Sequence, residues 1–214
     1  MRSKTKGCDF IAPLSHVEGK VEEIEQQKKM WRESRELVYR GSILDVYKDH
    51  MVWEDGHREE WDYVAHRQGA AAVVAVDPEG KLLMVRQYRN ALERETLELP
   101  AGARDFPEED TGVCAARELE EETGYKAGKL QKLLSLKSTV AFCDELIDIY
   151  LAEDLVPGHT HFDPGEVIKL ERYSLKELLD KIFSYEIQDG KTVSGILAYA
   201  CRISGGFHEL PGTH

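Results

Sequence analysis

The longest apolar run in the chain is Ala70 to Val76, seven residues without a single polar side chain. It is far short of the ~20 residues that a bilayer-spanning helix requires. It reads instead as a buried strand, which needs a core built around it. Asp77-Pro78-Glu79-Gly80 follows as a turn with Pro and Gly at favourable positions. Residues 81–89 then read as the next strand. A chain of 214 residues with 42% apolar and 32% charged residues has the composition of an ordinary globular domain with or without an appendage. At that length roughly 70% of the unfolded surface can be removed from water.

The remaining pattern alternates strands with helices. Residues 37–39, 43–53 and 58–66 read as strands, the last two joined by Glu54-Asp55-Gly56-His57, an Asp-Gly hairpin signal. Residues 96–99 form a further strand, and 100–110 a loop. Residues 111–123 form a helix closed by Gly124. Strands over 130–136 and 146–151 follow, then a long loop over 153–165, a strand over 167–173, and helices over 175–183 and 192–203. The charge-rich stretch 17–35 reads as a helix that must pack on something. This order predicts an α/β (α+β) fold with a mixed sheet.

Charge narrows the function. Lys and Arg number 28 against 40 Asp and Glu, a formal charge of −12, which argues against a duplex-DNA binder relying on phosphate neutralisation. The first residues are basic but lack a following hydrophobic segment, so they do not read as a secretory signal. Cys8, Cys114, Cys143 and Cys201 are scattered without framework spacing, as expected of reduced thiols in a cytoplasmic protein.

The chemistry concentrates in residues 102–125. Within Arg117-Glu118-Leu119-Glu120-Glu121-Glu122, such charges form a solvated face in most helices. Here, however, Glu118 and Glu122 stand one turn apart on the same side and repel each other. The C-terminal half of a helix disfavours carboxylates further. A divalent cation between them removes both penalties, and hard oxygen ligands suit Mg²⁺ or Mn²⁺ rather than zinc.

Gly102, Glu109 and Arg117-Glu118-Leu119-x-Glu121-Glu122-x-Gly124-Tyr125 resemble the Nudix box, the signature of the Nudix hydrolases. One spacing departs from the family: seven residues separate Glu109 from Arg117 as the pattern requires, but six rather than five separate it from Gly102. This reads as a one-residue insertion in the loop that leaves the helix untouched. Arg86-Gln87-Tyr88-Arg89, Glu98-Leu99-Pro100-Ala101-Gly102, Tyr39-Arg40-Gly41, the Asp55-Gly56 hairpin and Gly69-Ala70 are similar to the ADP-ribose pyrophosphatase-like branch. The likeness covers roughly residues 37–200.

That resemblance implies a Nudix α/β/α sandwich with a mixed sheet and an N-terminal β-hairpin extension. It divides the chain into an extension (1–36), dimerisation strands (37–66), the hydrolase domain (67–204) and a tail (205–214). It implies metal ligation by Glu118, Glu122 and the carbonyl of Ala101. Glu121 is a further catalytic carboxylate and a closer alternative ligand than Glu120. Arg117 ties the helix to Glu109, and Arg89 holds a phosphate. Trp61 stands where the branch has an aromatic that stacks on the base, although a core tryptophan on a strand is an equal reading. The general base falls on Glu166, after Pro164-Gly165, with Glu171 next in order. The branch also forms homodimers whose N-terminal strands cross to the partner. The apolar and aromatic residues of 43–66 (Val46, Val52, Trp53, Trp61, Tyr63, Val64) exceed what one small sheet can cover, which agrees with that expectation. A monomer with helix 17–35 folded over them is the alternative.

The implied activity is Mg²⁺-dependent (or Mn²⁺-dependent) pyrophosphohydrolysis of a small nucleoside diphosphate sugar, ADP-ribose foremost, with no nucleic-acid or membrane partner. Residues 138–145 keep the trailing Asp-Glu of the branch but lack its Pro and Gly. GDP-mannose, a dinucleotide or a nucleoside triphosphate therefore stand as alternative substrates, and a non-catalytic nucleotide-sugar sensor as an alternative role. Asp189-Gly190-Lys191-Thr192 fails as a phosphate loop because position 185 is Tyr rather than Gly. His159 and His161 read as surface histidines, and Cys114 as buried packing.

Overall fold

A computed structural model describes residues 29–162 and 167–205. Its elements, in order, are strands β1 (Met30–Arg40), β2 (Leu44–Trp53), β3 (Arg58–His66), β4 (Ala70–Val76), β5 (Leu82–Arg89), β6 (Arg94–Glu98) and β7 (Ala101–Ala103). Helix α1 (Thr111–Thr123) follows, then β8 (Tyr125–Lys126), β9 (Lys129–Lys137), β10 (Leu146–Glu153), β11 (Val156–Pro157) and β12 (Lys169–Tyr173). Helices α2 (Leu175–Phe183) and α3 (Gly190–Ile203) close the described chain.

The apolar run is the middle of the molecule. β4 lies within a seven-stranded sheet of order β12-β5-β4-β10-β9, with β6 beside β5 and β7 beside β4. It runs parallel to β10 and antiparallel to β5 and β7, so the sheet is mixed. Successive residues of a strand point to opposite faces, and β4 is apolar on both. Ala71, Val73 and Ala75 pack with Cys114, Ala115 and Leu119 of α1. Ala72 and Val74 pack with Leu178 and Ile182 of α2 and Ile196 of α3. The result is an α/β/α sandwich. α3 approaches so closely that a Cβ at Gly195 would come within 2.6 Å of Leu99 Cδ1.

One edge of β4 is shared. β5 pairs with its last residues, Ala75 and Val76, and β7 with its first, Ala70 to Ala72. Between them Val73 N donates to the Pro100 carbonyl at 2.8 Å. This split carries residues 101–103 away from β5 and against α1.

Local chemistry sets the helix ends. Asp110 caps α1 by accepting from the amides of Gly112 and Val113, and Gly124 closes it at φ 72°. Ser174 and Glu177 form a reciprocal capping box on α2. Among the described residues no helix is long and apolar enough to cross a membrane. Cys114, Cys143 and Cys201 are free thiols.

Several sequence expectations change. Residues 1–28 lie outside the described residues, but 30–35, expected as the end of a helix, are strand. β1 pairs antiparallel with β2 from Met30↔Trp53 to Arg40↔Asp45. The charges that suggested a helical face pair across strands instead: Arg35 with Asp49 at 2.6 Å, and Arg58 with Glu33. The expected hairpin is thus a three-stranded sheet, β1-β2-β3. The loop 100–110 contains β7, and the loop 153–165 contains β11, which pairs with β8.

Candidate active site

Glu118 and Glu122 are both buried, at 9% and 5% exposure, on the side of α1 that meets β7. The Ala101 amide donates to Glu122 Oε2 at 2.9 Å. Gly102 lies directly against the other carboxylate: a Cβ there would collide with all three atoms of the Glu118 carboxyl group. A glycine is needed here because only hydrogen fits.

Arg117 locks the layer together. Its Nη1 donates to Glu118 Oε1 at 2.6 Å and to Glu121 Oε2 at 3.2 Å. Its Nη2 donates to the Ala103 carbonyl at 3.0 Å and to Glu109 Oε2 at 3.3 Å. Glu109, 7% exposed, also accepts from the Asp105 amide at 2.8 Å. The extra residue is therefore absorbed in the loop before Glu109, and the contact with Arg117 survives. Burial works against the Arg117 charge, but Glu118 and Glu109 outweigh it and raise the pKa of the guanidinium. Burial, reinforced by the Glu118 charge, pushes the Cys114 thiol up to about 12, which leaves it as inert packing.

Among the described residues no cluster of three or more His, Cys, Asp or Glu has metal-site geometry. The donor set that is present consists of two buried carboxylates one turn apart beside the backbone of Ala101, with Glu121 at 37% side-chain exposure next to them. Hard oxygen donors of this kind, with Arg117 holding Glu118 Oε1 in place, fit a hard divalent cation. The remaining candidate, Glu166, lies outside the described residues.

A cavity of about 460 Å³ opens beside this layer, with Ala101, Gly102 and Ala103 in its wall. Arg89 lines it and is fixed from behind by Glu98: Nε and Nη2 donate to the two Glu98 oxygens at 2.7 and 2.6 Å. Lys191 reaches the same carboxylate at 2.5 Å. Burial would raise the Glu98 pKa, but Arg89, Lys191 and Thr96 bring it down to about 2. Across the cavity stand His66 and Glu145, 3.6 Å apart, with His66 Nδ1 accepting from the Gly69 amide at 3.1 Å. Sequence reasoning gave no site role to Glu98, Lys191, His66 or Glu145, although Lys191 stood in the failed phosphate loop and Glu145 in the Asp-Glu of residues 138–145. Glu98 lay within a recognised segment, but only its burial reveals its part.

Two expected site residues stand apart. Glu171 is in β12, clasped by Arg86 at 2.8 and 3.1 Å. That contact, against the effect of burial and with help from Tyr173 and Lys169, holds its carboxyl at about 2. So acidic a group is a poor proton acceptor, which weighs against Glu171 as the base. Trp61 is not in the core: it is 41% exposed and packs edge-on against Trp53 at 5.9 Å. It lines a different, open cavity of about 760 Å³ with Phe142 and Val64, so this chain by itself does not bring Trp61 and Arg89 into one cavity.

Residues 65–193 match the NUDIX domain family. The chain is 36% identical over 165 residues to an ADP-ribose pyrophosphatase of Bacillus subtilis, covering 76% of this chain and 88% of that protein. It is 36% identical over 163 residues to a methanol dehydrogenase activator of Bacillus methanolicus, covering 75% and 87%. A solved ADP compounds hydrolase superposes with a TM-score of 0.76 at 23% identity, covering 84% of this chain and 96% of that one. The last likeness speaks for the fold alone.

Proposed function

We propose, for a chain that belongs to the NUDIX family and is a hydrolase, that its substrate is a nucleoside diphosphate sugar, ADP-ribose foremost. The products are then AMP and ribose 5-phosphate. The observation that carries this reading is the pair of buried carboxylates, Glu118 against Gly102 and Glu122 on the Ala101 amide, directly behind the wall of a cavity that Arg89 also lines. The relative from Bacillus subtilis, an ADP-ribose pyrophosphatase, supports the choice of sugar nucleotide.

Glu118, Glu122 and the Ala101 carbonyl hold Mg²⁺ or Mn²⁺, with Glu121 beside them. When bound, such an ion supplies charge neutralisation on the diphosphate and a more acidic water. The protein's own groups do the rest. Arg89, immobilised by Glu98, fixes a phosphate so that water approaches phosphorus in line with the bridging oxygen. Glu166 accepts the proton of that water as the new P–O bond forms, and the bridging P–O bond breaks with its electrons leaving on the departing phosphate. The exposed outer sheet supports a homodimer in which Trp61 completes the base site of the partner copy. A cytoplasmic location agrees with the free thiols.

The test is direct. The purified protein is incubated with ADP-ribose, GDP-mannose and a dinucleotide, with and without Mg²⁺, and products are separated by chromatography. AMP release from ADP-ribose that depends on the added ion is expected. Failure to cleave any nucleoside diphosphate sugar would overturn the reading.

A further inference from the structure

The segment Asp189-Gly190-Lys191-Thr192 fails as a phosphate loop, yet the fold delivers its lysine to the catalytic cavity. We propose that Lys191 is a second diphosphate-binding cation beside Arg89, and that Glu98 is the positioning residue holding both in the cavity wall. This rests on the diphosphate reading above and extends it to a residue that the box does not contain.

The argument begins with Glu98, whose side chain is 3% exposed. It accepts from Arg89 at 2.7 and 2.6 Å, from Lys191 at 2.5 Å and from Thr96 Oγ1 at 2.6 Å. One buried carboxylate needs one cation. A second cation shares it: Lys191, at 12% side-chain exposure, is largely withdrawn from water. Asp189 lies 2.9 Å from Lys191 Nζ, but its Oδ2 also accepts from the Thr192 amide at 3.0 Å and the Thr192 hydroxyl at 2.6 Å. Asp189 thus ties the Lys191 ammonium to the first turn of α3.

Donor geometry agrees. Arg89 uses Nε and Nη2 on Glu98, which leaves Nη1 for a ligand. The Lys191 ammonium has three protons, of which Glu98 and Asp189 take two. Arg89, Asp189 and Lys191 line both the catalytic cavity and a second cavity of about 360 Å³ behind it, so the cation pair forms the partition between two open spaces. The charge distribution points the same way. In a chain of net charge −12, the catalytic cavity is lined by Arg89, Lys137 and Lys191 against Glu145 and Asp189. Two adjacent cations side by side match two adjacent phosphates better than one.

The decisive comparison is between ADP and adenosine, titrated calorimetrically into wild type, Lys191→Gln and Lys191→Arg. Lys191→Gln keeps hydrogen bonds to Glu98 but loses the charge, and Glu98 retains Arg89 and Thr96. ADP affinity should fall about 10–100-fold in Lys191→Gln, with adenosine affinity within about twofold. Lys191→Arg should recover most of the ADP affinity. Glu98→Gln should raise KM for the diphosphate substrate more than it lowers kcat. If Lys191→Gln binds ADP as wild type does and only melts earlier, Lys191 is a strut of α3 and the proposal is wrong. Should Lys191→Gln not fold, acetylation of wild type read by mass spectrometry decides. Protection of Lys191 by ADP but not by adenosine supports the site, and equal labelling overturns it. A wild type that cleaves ADP-ribose while Lys191→Gln keeps its KM refutes this proposal alone. Lysine-dependent ADP binding without cleavage of any sugar nucleotide refutes the substrate reading alone.

Discussion

The layer formed by α1 and β7 and the outlying sheet β1-β2-β3 solve opposite problems. In the first, the charged groups meet partners within a short stretch of chain: Arg117 contacts Glu109, Glu118, Glu121 and the Ala103 carbonyl. The layer is buried against β4, and its geometry follows from local sequence. The second is a two-sided ribbon. β1 is exposed along its whole length, with Trp31 at 47% and Tyr39 at 61%, and Trp61 on β3 at 41%. Its polar pairs, such as Lys48 with Glu60 at 2.7 Å, lie in solvent, where each contributes little. It is tethered to the core where the Val64 amide donates to the Phe142 carbonyl at 2.7 Å and Tyr63 OH donates to Asp144. The difference teaches that the α1–β7 layer is held by contacts within one stretch of chain, while the ribbon leaves large apolar side chains exposed.

The contrast breaks most visibly at the reaction centre. Glu166→Gln should lower kcat by about 10²–10⁴-fold, measured at saturating ADP-ribose, while Glu171→Gln, removed from its clasp with Arg86, should change kcat only severalfold. A larger loss in Glu171→Gln would return the base to β12. Gly102→Ala comes next. The added methyl group must displace the Glu118 carboxyl, and a misplacement of ~1 Å costs about 10²-fold in turnover, with circular dichroism expected to report an intact fold. Normal turnover in that variant would mean that Glu118 can leave β7 without consequence.

Stability should respond to acid through Glu171, whose pKa is depressed to about 2. A depressed carboxylate adds stability above its unfolded pKa, and that contribution is lost as pH falls through about 4.5 toward about 2. The gain at neutral pH is on the order of 2–3 kcal/mol. Denaturant melts of wild type and Glu171→Gln should therefore differ most at pH 7, with a gap that narrows below about pH 4.5 and closes only near pH 2. A gap that widens on acidification would contradict the sign. The smallest effect belongs to the ribbon. Trp61→Ala should weaken substrate binding about tenfold, or ~1.4 kcal/mol, in a protein that sediments as a dimer. An active monomer indifferent to Trp61 would remove the shared site.

Much of the core was legible because its determinants are local. Helices over 111–123 and 175–183 have the bounds that the sequence predicted, since Gly124 and the flanking polar residues stop them. The apolar run could only be a covered strand. Residues 30–35 misled because a charge-rich segment looks the same on a helix face or an exposed strand, and only pairing with β2 decides. β7 was missed because three residues are too few to show a period. In the site, the box carboxylates announced themselves by spacing. Glu98 and Lys191 meet across 93 positions, and no local pattern encodes such a contact. The fate of Glu171 likewise depended on Arg86, 85 residues away.

The central claim is that Glu118 and Glu122, buried one turn apart, form the cation site on which hydrolysis depends. Calorimetric titration of Mn²⁺ into wild type, Glu118→Gln and Glu122→Gln measures it without reference to substrate. Wild type should bind the ion, and each variant should bind it at least about tenfold more weakly, with melting temperatures that show the fold retained. Equal affinity in all three proteins would contradict the account.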